Sequence, residues 1–242
     1  MRDNIIRVRG TILEMLADRG FDKDQLPINT NISLLEYMIN QFQTGVPSLD
    51  IYISKPRKVY VHFILEIKEN KASKDYGGLS KISKLIKESH RMGPEDDLII
   101  VVFGDSFDKQ KAIDFQMSPI ASNVSLFHYK NLLFNITKHK WVSRHEKLNI
   151  LEKAELKDYL MIDDFANLPL ISRLDPVCKY YGLRNGDIVK VTRPSMGNKS
   201  HHVYRYVVNN VDVESSDGLI TDSSVATTAN EPKSYIEVGD TM

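Results

Sequence analysis

The stretch from 168 to 208 constrains the fold more than any other part of this 242-residue chain. Asp175 followed by Pro176 predicts the start of a helix, because an aspartate caps first-turn amides and a proline at the first helical position loses no hydrogen bond. Gly182 predicts the end of the same helix, where a left-handed residue is favoured. We therefore expect one short helix between these residues.

A hairpin follows the short helix. Asn185-Gly186 is a turn signal, and apolar residues alternate with polar ones over 188–192. Residues 195–200 form a predicted loop, and the tyrosine-rich run 203–208 predicts the returning strand. Because two strands alone are not stable in water, this small α+β unit must pack on the rest of the chain or on a partner.

The residues before this unit alternate between helix and strand patterns. Helices are predicted at 4–19, 33–42, 79–90, 109–117, 130–136 and 151–160, the last capped by Asn149 with Glu152 three residues later. Strands are predicted at 49–53, 59–67, 98–103 and 124–128, and the unbroken apolar run at 98–103 is typical of a strand buried on both faces. This alternation predicts an α/β domain, a sheet flanked by helices.

Composition indicates an ordinary soluble protein with one asymmetry. Hydrophobic residues make up 42% and charged residues 26% of the chain, and a single cysteine excludes an internal disulfide framework. No apolar run reaches the roughly 18 residues that a membrane span needs. Residues 211–242 hold seven acidic residues against one lysine, a net charge of −6, so residues 1–210 carry +6. We expect this acidic, non-periodic tail to be disordered.

The unit at 168–208 closely resembles the assembly domain of the fifth-largest subunit of nuclear RNA polymerases, a family that also includes a shorter archaeal counterpart. The likeness extends upstream, since 98–103, the run 132–139, Val142 and His145 resemble the end of the eukaryotic subunit's jaw domain. Residues before 95 match only in arrangement. Archaeal members lack a jaw, so the resemblance implies a eukaryotic chain or the version of a large DNA virus.

The resemblance implies a non-catalytic subunit of a multisubunit DNA-directed RNA polymerase, with catalysis in the large subunits and no cofactor of its own. It implies an α/β jaw domain at 1–140, a restriction-endonuclease-like sheet flanked by helices, and a small α+β assembly domain at 141–210. The assembly domain is expected to dock on the largest subunit, and the jaw to lie beside downstream double-stranded DNA. The implied location is the nucleus, or a viral factory or virion for a viral chain. Neither a membrane partner nor a homo-oligomer is expected.

Eight residues are the candidates for the docking surface. They include aromatic and arginine side chains, which are enriched at protein–protein contacts, and the two residues that begin the predicted short helix. They are Asp175, Pro176, Tyr180, Tyr181, Arg193, Pro194, Tyr204 and Arg205. The alternative for the four tyrosines, including Tyr206, is packing inside this chain, and residue types alone leave both interpretations open.

The chain departs from the family pattern in two places. Gly104-Asp105-Ser106-Phe107 stands where the eukaryotic jaw usually carries a Thr-Pro-Ser-Ala stretch, so a contact made through that stretch is in doubt. The acidic tail beyond Asn210 is also extra, because family members normally end near the final strand.

A nuclease is the first alternative. Asp50, followed on the next strand by Glu66-Ile67-Lys68, matches the arrangement in which two carboxylates hold Mg²⁺ and a lysine positions water. Glu66 and Lys68 lie two residues apart, which puts them on one face of a strand. The pattern is short, and charged residues at strand ends match it often by chance.

The histidines are a weak metal signal. The histidines nearest to each other in sequence are His139 with His145 and His201 with His202. No cysteine or carboxylate accompanies them at ligand spacing, so no metal site is predicted.

The second alternative is a free-standing, non-specific DNA-binding protein. The middle of the first domain is basic, and its members are Lys55, Arg57, Lys58, Lys68, Lys71, Lys74, Lys81, Lys84 and Lys87. As a set they suit contact with the phosphate backbone, which needs charge without sequence reading. For any single lysine, a solvated face is the favoured interpretation. Lys81, Lys84 and Lys87 are the residues expected nearest to DNA.

Overall fold

The computed structural model describes residues 2–22, 26, 49–64, 78–104, 107–194 and 201–209, all within one compact unit that spans 1–211. The predicted helix at 33–42, the hairpin loop at 195–200 and the acidic tail lie outside the described residues. Within the described ranges, no helix is long and apolar enough to cross a membrane.

Four strands form the first sheet, in the order β1–β2–β3–β4. They are β1 (Ile51–Ile53), β2 (Val59–Ile64), β3 (Asp97–Val102) and β4 (Val124–His128). β1 runs antiparallel to β2, and the other pairs are parallel. The predicted strand positions are confirmed over the residues that the structure describes.

Helices cover both faces of this sheet. On one face, α1 (Arg2–Asp18) buries Ile5, Val8 and Ile12 against Ile99 and Val101 of β3. On the other, Leu98 packs with α2 (Leu79–Ser89) and α3 (Lys109–Met117). Every residue of β3 is buried, which confirms the strand predicted from its unbroken apolar run.

Two helix predictions in this part need correction. No α-helix forms at 130–136; the chain makes two 3₁₀ turns, Tyr129–Leu132 and Ile136–Lys138. Asn135 separates them, because its backbone is extended and its side chain accepts a hydrogen bond from the Thr137 amide. The sequence of 79–90 predicts an inward stripe on α2 that consists of Leu79, Ile82, Leu85, Ile86 and Ser89. In the structure this face is rotated, so that Ser83 is buried while Leu85 is 64% exposed.

The second sheet has the order β5–β7–β8–β6. Its strands are β5 (Arg144–Lys147), β6 (Leu170–Ser172), β7 (Ile188–Arg193) and β8 (His201–Val208). The helices beside it are α4 (Ile150–Leu160) and α5 (Pro176–Tyr181). The predicted hairpin is confirmed as the central pair β7–β8, and this chain supplies the flanking strands that the pair needs for stability.

Each face of the second sheet has its own helix. Val189, Val191 and Val207 pack with Cys178 and Leu183 on the α5 side. On the α4 side, Ile188 packs with Leu156, and Tyr204 and Tyr206 lie against them. The chain is therefore an α/β protein with two mixed sheets flanked by helices.

Candidate functional site

The short helix α5 is held at both ends as its sequence predicts. The Asp175 carboxylate accepts hydrogen bonds from the amides of Val177 (2.8 Å) and Cys178 (3.4 Å). Gly182 ends the helix in the left-handed conformation with φ of 64°, and its amide bonds back to the last turn. Both caps are local, which is why residue types alone located them.

Arg19, at the end of α1, joins the first sheet's helix to α5. Its buried guanidinium donates to the carbonyl oxygens of Lys179 (2.7 Å) and Tyr180 (2.8 Å) in the last turn of α5. It also lies 3.4 Å from the carboxylate of Asp97. A guanidinium here satisfies carbonyls that a helix end leaves without partners and complements the negative end of the helix dipole.

Tyr180 lies in the interior and is 2% exposed. Its hydroxyl donates to the Asp18 carboxylate (2.6 Å), and the Asn135 amide donates to the hydroxyl oxygen (2.8 Å). Burial and the bond to Asp18 raise the pKa of Tyr180. In the free chain, Tyr180 therefore packs inside the protein, as the alternative interpretation of the tyrosines expects.

Two further arginines tie the second sheet's segment to the first sheet. Arg184 donates to the carboxylate of Asp97 (2.9 Å), so that Arg19, Arg57 and Arg184 surround one buried carboxylate. Arg173 is buried and donates to backbone carbonyl oxygens around α3, those of Gln116, Ala121 and Ser122. The residues from 173 to 184 are therefore joined to the first sheet and its helices through hydrogen bonds at both ends.

The helix α4 is a feature that the sequence analysis only half identified. Its capping box is confirmed, because Asn149 and Glu152 each accept the other's backbone amide. Apart from Lys153 and the buried Leu156, the side chains of this helix are exposed. Five large apolar residues lie exposed between 150 and 161: Ile150 at 85%, Leu151 at 75%, Tyr159 at 80%, Leu160 at 37% and Met161 at 92%. Such a concentration is typical of a contact surface. In the sequence, the apolar residues of this helix do not follow a helical period, and this pattern indicates that they cannot all face the core.

The structure does not bring all eight predicted docking residues to one surface. Because strand neighbours alternate between faces, Arg193 and Arg205 belong to the α5 face of the sheet and Tyr204 to the α4 face. Pro176, Arg193 and Pro194 are exposed, whereas Asp175, Tyr181, Tyr204 and Arg205 are partly buried. Arg205 donates to the carbonyl oxygen of Leu170 at 3.2 Å, and the rings of Tyr180 and Tyr181 meet edge to face at 5.2 Å. Docking by these residues stays a prediction.

The nuclease alternative gains no support from Asp50. Its carboxylate accepts from the Tyr60 hydroxyl (2.8 Å) and the Phe63 amide (3.1 Å), and it lies 2.8 Å from Nδ1 of His62. Glu66 and Lys68 lie outside the described residues. In the described part of the chain, no three or more His, Cys, Asp and Glu side chains are grouped to hold a metal ion.

The basic residues of the first domain have different roles. Lys81 and Lys84 are exposed on α2. Lys87 donates to the carbonyl oxygen of Ile120 (2.6 Å), and Lys58 donates to that of Arg91 (2.7 Å), so both ammonium groups stabilise the fold. Lys68, Lys71 and Lys74 lie outside the described residues.

Comparison with known proteins gives one family match and a group of relatives. Residues 134–207 match the family model "RNA polymerase Rpb5, C-terminal domain". A Caenorhabditis elegans protein, "DNA-directed RNA polymerases I, II, and III subunit RPABC1", is 27% identical over 84% of this chain and 94% of its own length. The Arabidopsis thaliana "DNA-directed RNA polymerases IV and V subunit 5B" is 27% identical over 82% of this chain and 87% of its own. A second Arabidopsis protein, "DNA-directed RNA polymerase V subunit 5A", is 30% identical over 54% of this chain and 72% of its own length.

Proposed function

This chain belongs to the RNA polymerase Rpb5 family, and from that premise we propose that it is a non-catalytic subunit of a DNA-directed RNA polymerase. The observation that carries the proposal is the match of 134–207, which includes almost the whole second sheet and both of its helices. The relatives named as polymerase subunits align over more than four-fifths of the chain, which extends the likeness to the first sheet.

The second sheet and its helices form the proposed docking unit, with the largest polymerase subunit as the partner. Support comes first from α4, where Leu151 and Tyr159 lie eight residues apart and share one exposed side of the helix. Large apolar and aromatic side chains that stand in water in the free chain are suited to anchor a protein interface. The capping box keeps this helix formed before a partner arrives, which lowers the entropy lost on binding.

The α5 side of the sheet supplies the second part of the proposed docking surface. Arg193 and Pro194 are exposed at the end of β7, and Pro176 is exposed at the start of α5. Arginine is enriched at interfaces because its planar guanidinium binds carboxylates through two hydrogen bonds. The buried Tyr180 and the capping Asp175 contribute by holding α5 in place.

The first sheet and its helices form the proposed jaw beside downstream DNA. Lys81 and Lys84, which are exposed, are the described residues best suited to phosphate contacts. Catalysis in such an enzyme then resides in its large subunits. The nucleus is the proposed location, as the names of the cellular relatives suggest. For a viral chain, the proposed location is the viral factory or the virion.

Affinity purification of the tagged full-length chain from its native cells, washed at high salt, tests the proposal. High salt screens the exposed charge pairs that mediate adventitious binding but leaves apolar contacts intact. We expect the two large polymerase subunits to co-purify in stoichiometric amounts. Their absence, with the tagged chain folded and recovered, would overturn the proposal.

A further inference from the structure

A cavity of about 260 Å³ lies between α1, the 3₁₀ turn Tyr129–Leu132 and α5. Its wall is mainly apolar and includes Phe127, Leu132 and Ile136. Four exposed residues also line it: Lys130, Asn131, Phe134, which is 60% exposed, and Pro176. The cavity therefore combines an apolar interior with access from solvent, as ligand sites commonly do.

Lys179 is one of two lysines that line this cavity. Its Nζ lies 4.9 Å from the centroid of the Phe127 ring, and both residues line the cavity. This ring is a contact of the ammonium group. Among the described residues, Lys179 Nζ has no hydrogen bond or ion pair to a carboxylate. Lys179 is partly buried. An ammonium group that is partly withdrawn from water and has no carboxylate partner favours an added anion.

The charges around Lys179 have the same sign. Lys130 lines the same cavity, and Arg173 lies close enough to act on Lys179 electrostatically. None of the residues described as lining the cavity is acidic. The carboxylates on the elements around the cavity are engaged with other groups: Asp175 caps α5, Asp18 accepts from the Tyr180 hydroxyl, and Glu14 accepts from Asn135 and Lys138. None of the three forms an ion pair with Lys179 among the described residues.

We propose that this cavity binds a small organic acid, whose carboxylate pairs with Lys179 and whose apolar body packs against Phe127, Leu132 and Ile136. The volume lies just below the roughly 300–1,000 Å³ of drug-sized ligand pockets, which fits a short acid. Two sources offer this chemistry, a free aliphatic or aromatic acid and the C-terminal carboxylate of a polypeptide that ends in an apolar residue. The site goes beyond the polymerase assignment and does not depend on it.

Titration of the isolated full-length chain with 3-phenylpropionate tests the site, with 3-phenylpropanamide as the uncharged ligand of the same shape. Nuclear magnetic resonance shifts of Leu132 and Ile136 report occupancy. We expect saturable shifts with the acid and at least about tenfold weaker binding of the amide. N-acetylphenylalanine distinguishes the sources: tighter binding than 3-phenylpropionate indicates a polypeptide C-terminus, and weaker binding indicates a free acid. Equal affinity for acid and amide, or no saturable shift, overturns the proposal.

Substitutions at Lys179 separate charge from packing. Lys179→Met keeps most of the side-chain volume and should lower the affinity for the acid by about tenfold or more. Lys179→Arg should have an affinity for the acid within a few-fold of that of the unmodified chain. Lys109→Met, on an exposed lysine outside the cavity, is the matched control and should leave binding unchanged. Unchanged affinity in Lys179→Met would count against the site.

The pH profile gives a second readout that needs no variant. Burial and the nearby Arg173 lower the pKa of Lys179 to about 8. Affinity for the acid should therefore fall as pH rises through this value, with proton uptake on binding near the same pH. Lys179→Arg should bind with a flat profile over that range, because its guanidinium keeps its proton. A flat profile in the unmodified chain would contradict the assignment of the carboxylate to Lys179.

Discussion

Arg19 donates a 2.8 Å hydrogen bond to the carbonyl oxygen of Tyr180, although the two residues are 161 positions apart. The bond joins the end of the first helix, α1, to the last turn of α5. It therefore connects the segments predicted as jaw and assembly domains through buried backbone and guanidinium groups. We expect the two segments to unfold together, because neither keeps its partners when the other is lost.

Arg19→Met should lower the free energy of unfolding by about 3 kcal/mol. The substitution leaves the carbonyl oxygens of Lys179 and Tyr180 without a donor and removes one of three cations around Asp97. Urea denaturation followed by circular dichroism measures the effect. Arg7→Met, on the exposed side of the same helix, is the control and should change stability little. Equal effects of the two substitutions would contradict the bridging role of Arg19.

Gly182→Ala should destabilise the chain more than Gly20→Ala, although both glycines have positive φ, 64° and 89°. Left-handed backbone costs an alanine about 1–2 kcal/mol at either position. A Cβ at Gly182 would also lie 2.8 Å from Nη1 of Arg19, whereas one at Gly20 would meet nothing within 4 Å. Thermal denaturation compares the two variants. The excess should shrink when Arg19→Met is already present, and an unchanged excess would show that the guanidinium is not its cause.

Leu151→Asp combined with Tyr159→Asp should abolish association with the polymerase without unfolding the chain. Both side chains are at least 75% exposed, so their replacement removes little packing from the free chain. An interface built on them would have to bury two unpaired carboxylates. Recovery of large subunits by the tagged variant measures the effect, and an unchanged thermal midpoint verifies the fold.

Leu85→Asp is the matched control for this pair, because Leu85 is also apolar and 64% exposed but lies on α2. It should leave recovery of the large subunits unchanged. Loss of recovery in this control, or full recovery with the α4 variant, would move the docking surface away from α4.

Lys179→Met should stabilise the chain near neutral pH by an amount that decreases at alkaline pH. The pKa of Lys179 is lowered from 10.5 to about 8 on folding, so between these values the unfolded chain binds more protons and the stability of the unmodified chain rises with pH. The difference from the methionine variant, about 1–3 kcal/mol below pH 8, should shrink over that interval. Denaturation curves at a series of pH values test this, and a constant difference would contradict a lowered pKa.

Local features of this fold could be predicted from the sequence, and distant ones could not. The caps at Asp175 and Asn149 and the turn residue Gly182 act within a few positions, so residue types located them. The strand β5 has the sequence Arg-His-Glu-Lys, without apolar alternation, and exists because β7 pairs with it. The sequence alone does not predict this strand, because its formation depends on pairing with β7.

In the candidate site, too, local features could be predicted from the sequence and contacts between distant segments could not. Residue types suggested tyrosine and arginine contacts, but strand alternation in the folded sheet divides Arg193 and Tyr204 between two faces. The partners of Arg19 and Arg173 lie on segments distant in sequence, which no local pattern indicates. The apolar residues of α4 lack helical periodicity in the sequence, but the fold determines which of them are exposed, since Leu156 is the residue that this helix buries.

Recovery of the largest polymerase subunit with the tagged chain, at high salt and beside two variants, tests the central claim most directly. The unmodified chain and Lys84→Glu should retain that subunit. Arg193→Glu combined with Tyr204→Ala, which alters both faces of the second sheet, should release it while the variant itself stays folded by circular dichroism. Absence of the large subunits from the unmodified chain's eluate would contradict the account, and so would their full retention by the double variant.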